Sequence, residues 1–389
     1  MYLRRQFLER VGRTSEIPQG FKPSLAEKCN IYDQNGEAFL DLISGFCVNN
    51  IGHSHPKVIE AIRQQAGMYL HTNVYAEHNQ SIQVQLAEYL CDQLPSGFNS
   101  IYFLNSGSEV IDASIKLARK VTARTDIVAC KNSYHGSTLG AESLRSDSIE
   151  RSAFRPLIPG INFIASNDFE SLNIINQNTA AVIIEVVQAE AGVVNLSAEF
   201  LIAIRKKCND LKCLLIFDEI QTGFGRTGTL FAFQKHNVVP DLLLIGKAFG
   251  AGLPLSGIVG SKELIHSFSY SPSLGYISTF GGNPLCCAAA LAGLKVLLEE
   301  KLIERCQNAS QLFKKLLNHP KIKNIRAEGL LIAVDFEDSN LVWSIINSLF
   351  QNKMLAESFL FNSGSLRIAP PLVINDEEIM KATTVINNF

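Results

Sequence analysis

Residues 213–260 read CLLIFDEIQTGFGRTGTLFAFQKHNVVPDLLLIGKAFGAGLPLSGIVG. Two short apolar runs in this stretch, CLLIFDE (213–219) and DLLLIG (241–246), each stop abruptly at charge: Asp218 and Glu219 in the first, Lys247 just beyond the second. Continuous rather than alternating apolar runs mark strands buried on both faces of a parallel sheet. In open sheets of this kind ligands bind beyond the carboxyl ends of the strands, so the charges ending these runs are candidate site residues. Each signal is weak by itself, because an acid pair at a strand end more often serves as a helix cap or a loop ion pair.

The same pattern extends to both sides. SIYFL (100–104), DIVAC (126–130), AAVIIEVV (180–187) and LSGIVG (255–260) are further short apolar runs, with helical periodicity between them at Val110 to Arg124 and Ser197 to Asp210. The reading is α/β, with a large domain at 47–285 built on a mostly parallel central sheet. After Asn283-Pro284 comes one long Ala- and Leu-rich helical stretch, Leu285 to Leu317, and then RAEGLLIAVDFED and SLRIAPPLVIND, strands of a small α+β domain at 286–389. Residues 1–46 are expected to pack with that small domain, leaving a cleft between the two parts for a ligand.

Composition sets bounds. A chain of 389 residues, 47% apolar, can bury a large core, and a formal charge of −2 provides no field for nucleic acid or an anionic membrane. The expected partners are small molecules. The nine cysteines show no C-x-x-C pair and no disulfide-framework spacing, so they read as buried free thiols of a reducing, cytoplasmic compartment, and no metal site is expected. MYLRRQFLERVGRT, with Arg among large apolar residues, reads as a short amphipathic docking helix rather than a signal peptide. No apolar run reaches the length of a membrane span.

Taken together, DEIQTGFGRTG (218–228) and the strand-borne Lys247 before GAGLP resemble the class III, fold-type I aminotransferases, the family of the ornithine, acetylornithine and 4-aminobutyrate enzymes. The resemblance runs from DLISGFCVNNIGHSHP (41–56) to RIAPPLVI (367–374). It implies that Lys247 holds pyridoxal 5'-phosphate as a Schiff base and that Asp218 keeps the cofactor's ring nitrogen protonated. The chemistry needs both: an imine is a better electrophile toward an amine than an aldehyde is, and the ring withdraws electrons well only as a cation. By the same resemblance Ile220 packs on one ring face, Tyr134 in NSYHGSTLG (132–140) stacks on the other, and Gln221 bonds the 3'-oxygen. In YFLNSGSEV, Ser106, Gly107 and Ser108 open a helix whose N-terminus suits a phosphate. His135 and Glu185 complete the cofactor's surroundings. Thr279, in STFGGNP (278–284), is implied to reach the phosphate of a partner subunit, which makes the enzyme a homodimer with shared sites.

Four residues are implied to bind substrate: Phe46, Ser137, Glu190 and Arg367. In VIIEVVQAEAGVV (182–194) Glu190 matches the relatives' partner of the arginine found here as Arg367; paired, the site takes a distal amine, and released, Arg367 grips a 2-oxo acid's carboxylate. The chain departs from the family at Ser137, where ornithine and acetylornithine enzymes carry a carboxylate-binding arginine, and at Phe46, where the ornithine enzymes carry tyrosine. Lys131 or Arg145 lies near enough in sequence to compensate for Ser137. Asp112 replaces a common glutamate. The implied reaction is a ping-pong transfer of an amino group from an ω-amino acid or acylated diamine to a 2-oxo acid. A specialised biosynthetic aminotransferase is the runner-up. A dialkylglycine-type decarboxylase shares GRTG, GAGLPL and RIAPP but lacks the Gln188 and Glu190 arrangement. A semialdehyde aminomutase carries a different D-E motif, and a cofactor-binding regulator needs neither Lys247 nor Asp218 intact.

Overall fold

A computed structural model describes residues 2–15, 20–74, 77–147 and 150–389. Its centre is a seven-stranded sheet in the order Ser100–Leu104, Ser256–Gly260, Leu242–Ile245, Leu214–Asp218, Thr179–Ile184, Asp126–Cys130, Ile161–Ile164. Every neighbouring pair is parallel except those of Ser256–Gly260, which runs antiparallel to both its neighbours. The apolar runs of the sequence are these strands, with two differences. Ile161–Ile164 carries Asn162 in a short INFI and gave no run long enough to read. AAVIIEVV is not one strand: it ends at Ile184, because Glu185 turns inward, and Val187–Gln188 pairs elsewhere.

Side chains alternate across the sheet into two cores. Leu215, Phe217, Leu243 and Ile245 join one apolar cluster, while Ile216, Leu242 and Leu244 join the other with Val110, Ile111, Ala113 and Leu117 of the helix Gly107–Thr122. Both faces are thus dry, as the continuous apolar runs require. The carboxyl ends of five parallel strands bring Asn105, Lys131, Glu185, Asp218 and Gly246 to one edge of the sheet.

The expected single helix over Leu285 to Leu317 is two, Pro284–Glu299 and Leu302–Leu316, broken where Lys301 takes φ 53°. The first is apolar all round and is buried against Pro56–Met68 and Ser81–Cys91. Beyond it, Asn324–Glu328, Leu331–Asp335, Ser365–Ile368 and Glu357–Ser358 form an antiparallel sheet. Ala38–Asp41, from a three-stranded N-terminal meander, pairs in parallel with Met354–Leu355. Tyr2–Arg10 is helical as expected, but Leu3, Phe7 and Leu8 are exposed rather than docked on this chain.

Candidate active site

A cleft opens at the carboxyl edge of the large sheet, lined by residues from five separate strand ends. On the first, Ser106 caps the helix Gly107–Thr122 in a capping box: its side chain accepts from Glu109 N at 3.3 Å, and Glu109 accepts from Ser106 N at 3.1 Å. The next two residues, Gly107 and Ser108, stand where a helix has no internal acceptors for its N–H groups, and the positive end of its dipole faces the cleft. A Cβ on Gly107 would stand 3.1 Å from Ile220, so only glycine leaves this edge open.

Asp218 and Glu219, adjacent in sequence, face different surroundings. Asp218 lines the cleft and receives His135 Nδ1 at 2.6 Å. Burial opposes charge on His135, but the Asp218 carboxylate outweighs it and raises the imidazole's pKa above its ordinary value. Glu185 lies buried beside them, accepts Tyr134 N and Ala189 N at 3.0 Å each, and is pushed by burial up to about 7. Glu219 points away and accepts Ala232 N at 2.8 Å, Phe233 N at 2.7 Å and Thr222 Oγ1 at 2.8 Å. Its task is to close the loop that carries GRTG.

Lys247 follows strand Leu242–Ile245 with φ 47°, a left-handed backbone that a side-chain-bearing residue adopts only under constraint. Burial lowers its pKa, which favours the neutral, nucleophilic amine. Nζ donates to Gln221 Oε1 at 2.6 Å, and Gln221 Nε2 donates to Glu190 Oε1 at 3.2 Å. Glu190 Oε2 accepts from Arg367 Nη2 and from Leu360 N, the latter at 3.1 Å. A continuous polar line therefore joins Lys247 to Arg367. Burial would raise the pKa of Glu190, yet the Arg367 guanidinium holds it below its ordinary value.

Arg367 is 1% exposed and lies between the rings of Phe46, 5.1 Å away, and Phe359, 4.5 Å away. Its Nε and Nη1 are buried without a hydrogen-bond partner among the described residues. Phe46, implied by the resemblance to bind substrate, has a half-exposed ring that is also a platform for this guanidinium. Phe359 escaped the sequence reading, because nothing local links SFLFN to an arginine eight residues on; the strand pair Glu357–Arg367 makes that link.

Ser137 is exposed, donates its N–H to Ser108 Oγ at 3.0 Å and shares a 3.1 Å hydrogen bond between its Oγ and Tyr134 Oη. Thr279 is exposed on a surface loop and does not line the cleft of its own chain. The structure thus gathers Ser106, Gly107, Ser108, Tyr134, His135, Glu185, Asp218, Ile220, Gln221 and Lys247 directly, reaches Glu190, Arg367 and Phe46 through Gln221, and leaves Thr279 outside. The donor set fits pyridoxal 5'-phosphate: a helix N-terminus opened by Gly107 for a phosphate, a buried amine of lowered pKa for an aldehyde, and a buried carboxylate for a pyridine nitrogen.

Residues 15–389 match the family model described as aminotransferase class III. The acetylornithine aminotransferase of Clostridium acetobutylicum is 37% identical over 372 residues, 92% of each chain, and that of Methanocaldococcus jannaschii is 37% identical over 367 residues, 90% of this chain and 88% of the other. The crystal structure of ornithine aminotransferase from Toxoplasma gondii superposes with a TM-score of 0.91 at 31% identity, covering 99% of this chain and 93% of its own. Another structure of the Toxoplasma enzyme reveals partial occupancy of pyridoxal phosphate at its active site. With the strand order, the cleft and the motif residues all accounted for, the chain belongs to the class III aminotransferases and is a fold-type I, pyridoxal-phosphate-dependent enzyme.

Proposed function

We propose that the enzyme moves an amino group from the distal amine of an ornithine-like or acylated diamine donor to a 2-oxo acid, in two half-reactions at one cleft. The observation that carries this is the hydrogen-bonded line Lys247, Gln221, Glu190, Arg367, which ties the amine of the reaction to a buried, half-satisfied guanidinium. The acetylornithine and ornithine aminotransferases among the relatives support the same choice of donor.

Pyridoxal phosphate, when bound, supplies an aldehyde carbon for the donor's amine and a ring that draws electrons from the carbon bearing it. Gly107 and Ser108 would hold its phosphate, Ile220 and Tyr134 would flank its ring, and Asp218 would stand against its ring nitrogen. His135 Nδ1 fixes the position of Asp218 through their 2.6 Å hydrogen bond. Lys247 Nζ would hold the cofactor through its aldehyde and, as a free amine, would carry a proton away from the donor's amine-bearing carbon as general base and acid. With Glu190 on Arg367 the guanidinium is neutralised and a donor without a carboxylate at that position fits. With Glu190 released, Nε and Nη1 would donate hydrogen bonds to the carboxylate of the 2-oxo acid.

Thr279, exposed beside Ile277 and Phe280, is proposed to complete the site of a second copy, with that apolar rim buried in a homodimer. We also propose that the division into 1–46 with 286–389 and a large domain at 47–285 holds, with Pro284–Glu299 as the bridge, and that the nine free cysteines, eight of them buried, place the enzyme in a reducing cytoplasm.

The test is a spectral titration. Loss of the resting cofactor's long-wavelength absorption is followed with ornithine, N-acetylornithine, 4-aminobutyrate, lysine and simple alkyl amines. Ornithine or N-acetylornithine should bleach it fastest; if only amines without a carboxylate do so, the roles given to Glu190 and Arg367 on the donor side are wrong.

A further inference from the structure

Ser137 has no charge to offer a second carboxylate, yet a second arginine packs on the segment that also carries Phe359. Arg145 follows the short helix Leu139–Glu142 and lies over the ring of Phe361, 5.4 Å from its centroid. Phe361 N in turn donates to Glu190 O at 3.0 Å, and Leu360 N donates to Glu190 Oε2. One three-residue segment thus presents Phe359 to Arg367 and Phe361 to Arg145, and its backbone is pinned on Glu190 between them.

The two arginines share a further feature. Each is already paired with carboxylate: Arg367 with Glu190, and Arg145 with Asp147 through Nε at 3.0 Å and Nη2 at 2.5 Å, and with Glu142 through Nη1 at 3.2 Å. The Arg145 side chain is 12% exposed and Asp147 26%. Trading Asp147 for a ligand's carboxylate leaves the guanidinium paired and hands the better hydrated acid to water, so little desolvation is lost. The turn that carries Arg145 is itself braced, since Arg151 Nη1 donates to Arg145 O at 2.7 Å and to Ser143 O at 3.3 Å. Lys131, the other nearby cation in sequence, is exposed.

We propose that Arg145 binds the second, distal carboxylate of a dicarboxylic 2-oxo acid acceptor, with Asp147 as the group it exchanges, doing the work that Ser137 cannot do. This rests on the transamination reading, and it makes a five-carbon dicarboxylate the preferred acceptor over a monocarboxylic 2-oxo acid. A purely structural Arg145 would serve both acceptors alike.

Two measurements on the holoenzyme decide it. With the best donor, Arg145→Gln should raise KM for 2-oxoglutarate about 30-fold and leave that for pyruvate within about twofold, the loss of one charge-assisted pairing. Asp147→Asn, which frees the guanidinium, should lower the 2-oxoglutarate KM. Equilibrium titration with glutarate and valerate, which do not react, gives the second reading: the parent should bind glutarate more tightly, and Arg145→Gln should abolish that preference. Equal losses for both acceptors, no loss for either, or a parent indifferent to the second carboxylate would overturn the proposal. Should Arg145→Gln not fold, an Asp147→Asn enzyme with unchanged or weaker glutarate binding overturns it as well. If no amine reacts in the donor titration while glutarate binding still depends on Arg145, the transamination reading fails and the carboxylate site stands.

Discussion

Adjacent residues in this enzyme do unrelated work because a strand ends between them. Asp218 finishes strand Leu214–Asp218 facing the cleft, and Glu219 turns into the protein to accept two backbone N–H groups and a hydroxyl. Burial raises the pKa of Glu219 from its ordinary 4.5 to about 7 against those three donors. The folded chain therefore keeps a proton between pH 4.5 and 7 that the unfolded chain releases, and stability falls as pH rises through that window. The loss amounts to roughly 3 kcal/mol across it, at about 1.4 kcal/mol per unit. Glu219→Gln, which cannot titrate, should flatten the fall in melting temperature between those pH values in the cofactor-free protein, Glu185 supplying what slope remains. A slope identical to the parent's would show that Glu219 does not titrate there.

The phosphate end of the cleft is a contact between two elements, the helix Gly107–Thr122 and the loop that carries Tyr134. Gly136 takes φ +133°, and a Cβ there would come within 2.1 Å of Ser108 Oγ and 3.0 Å of its Cα, so the two elements touch only because this residue has no side chain. Asp112, unreadable in sequence, is half-buried on the same helix close against Gly140, and burial raises its pKa. Gly136→Ala should push loop and helix apart and weaken cofactor affinity about tenfold or more, since about 1.4 kcal/mol of strain suffices for that. Equilibrium dialysis of the cofactor would detect it; an unchanged affinity would mean that the loop relaxes freely.

At the scale of the whole molecule, Arg226 of GRTG is a strut rather than a site residue. It is fully buried, and it donates to Leu330 O, Pro370 O, Ser44 Oγ and Asn50 Oδ1 at 2.8, 2.6, 3.0 and 2.6 Å, joining three distant parts of the chain. One of those parts is the left-handed turn Ser44–Cys47, with φ between 48° and 66°, which Asp41 Oδ1 also holds through Ile43 N and Ser44 N. That turn aims Phe46 at Arg367. Arg226→Met orphans four acceptors and should destabilise the fold by about 3 kcal/mol or more, read as a fall in denaturant midpoint. A melting curve unchanged from the parent's would deny Arg226 this role.

The buried strands, the placement of Asp218 and Lys247 at strand ends and the family were legible in the amino-acid order, because a strand dry on both faces needs an uninterrupted apolar run and a charge ending it stands out. Ile161–Ile164 and the break at Lys301 were not, since a four-residue strand and a single left-handed residue leave no periodic trace. Tertiary structure alone decided that Glu219 and Arg226 are structural, that Phe359 faces Arg367, and that Arg145 lies over Phe361. These are contacts across tens to hundreds of residues, set by how the small sheet, the N-terminal turn and the cleft loops are brought against one another. Local periodicity reports which face of an element is dry, and the path of the chain decides what that face meets.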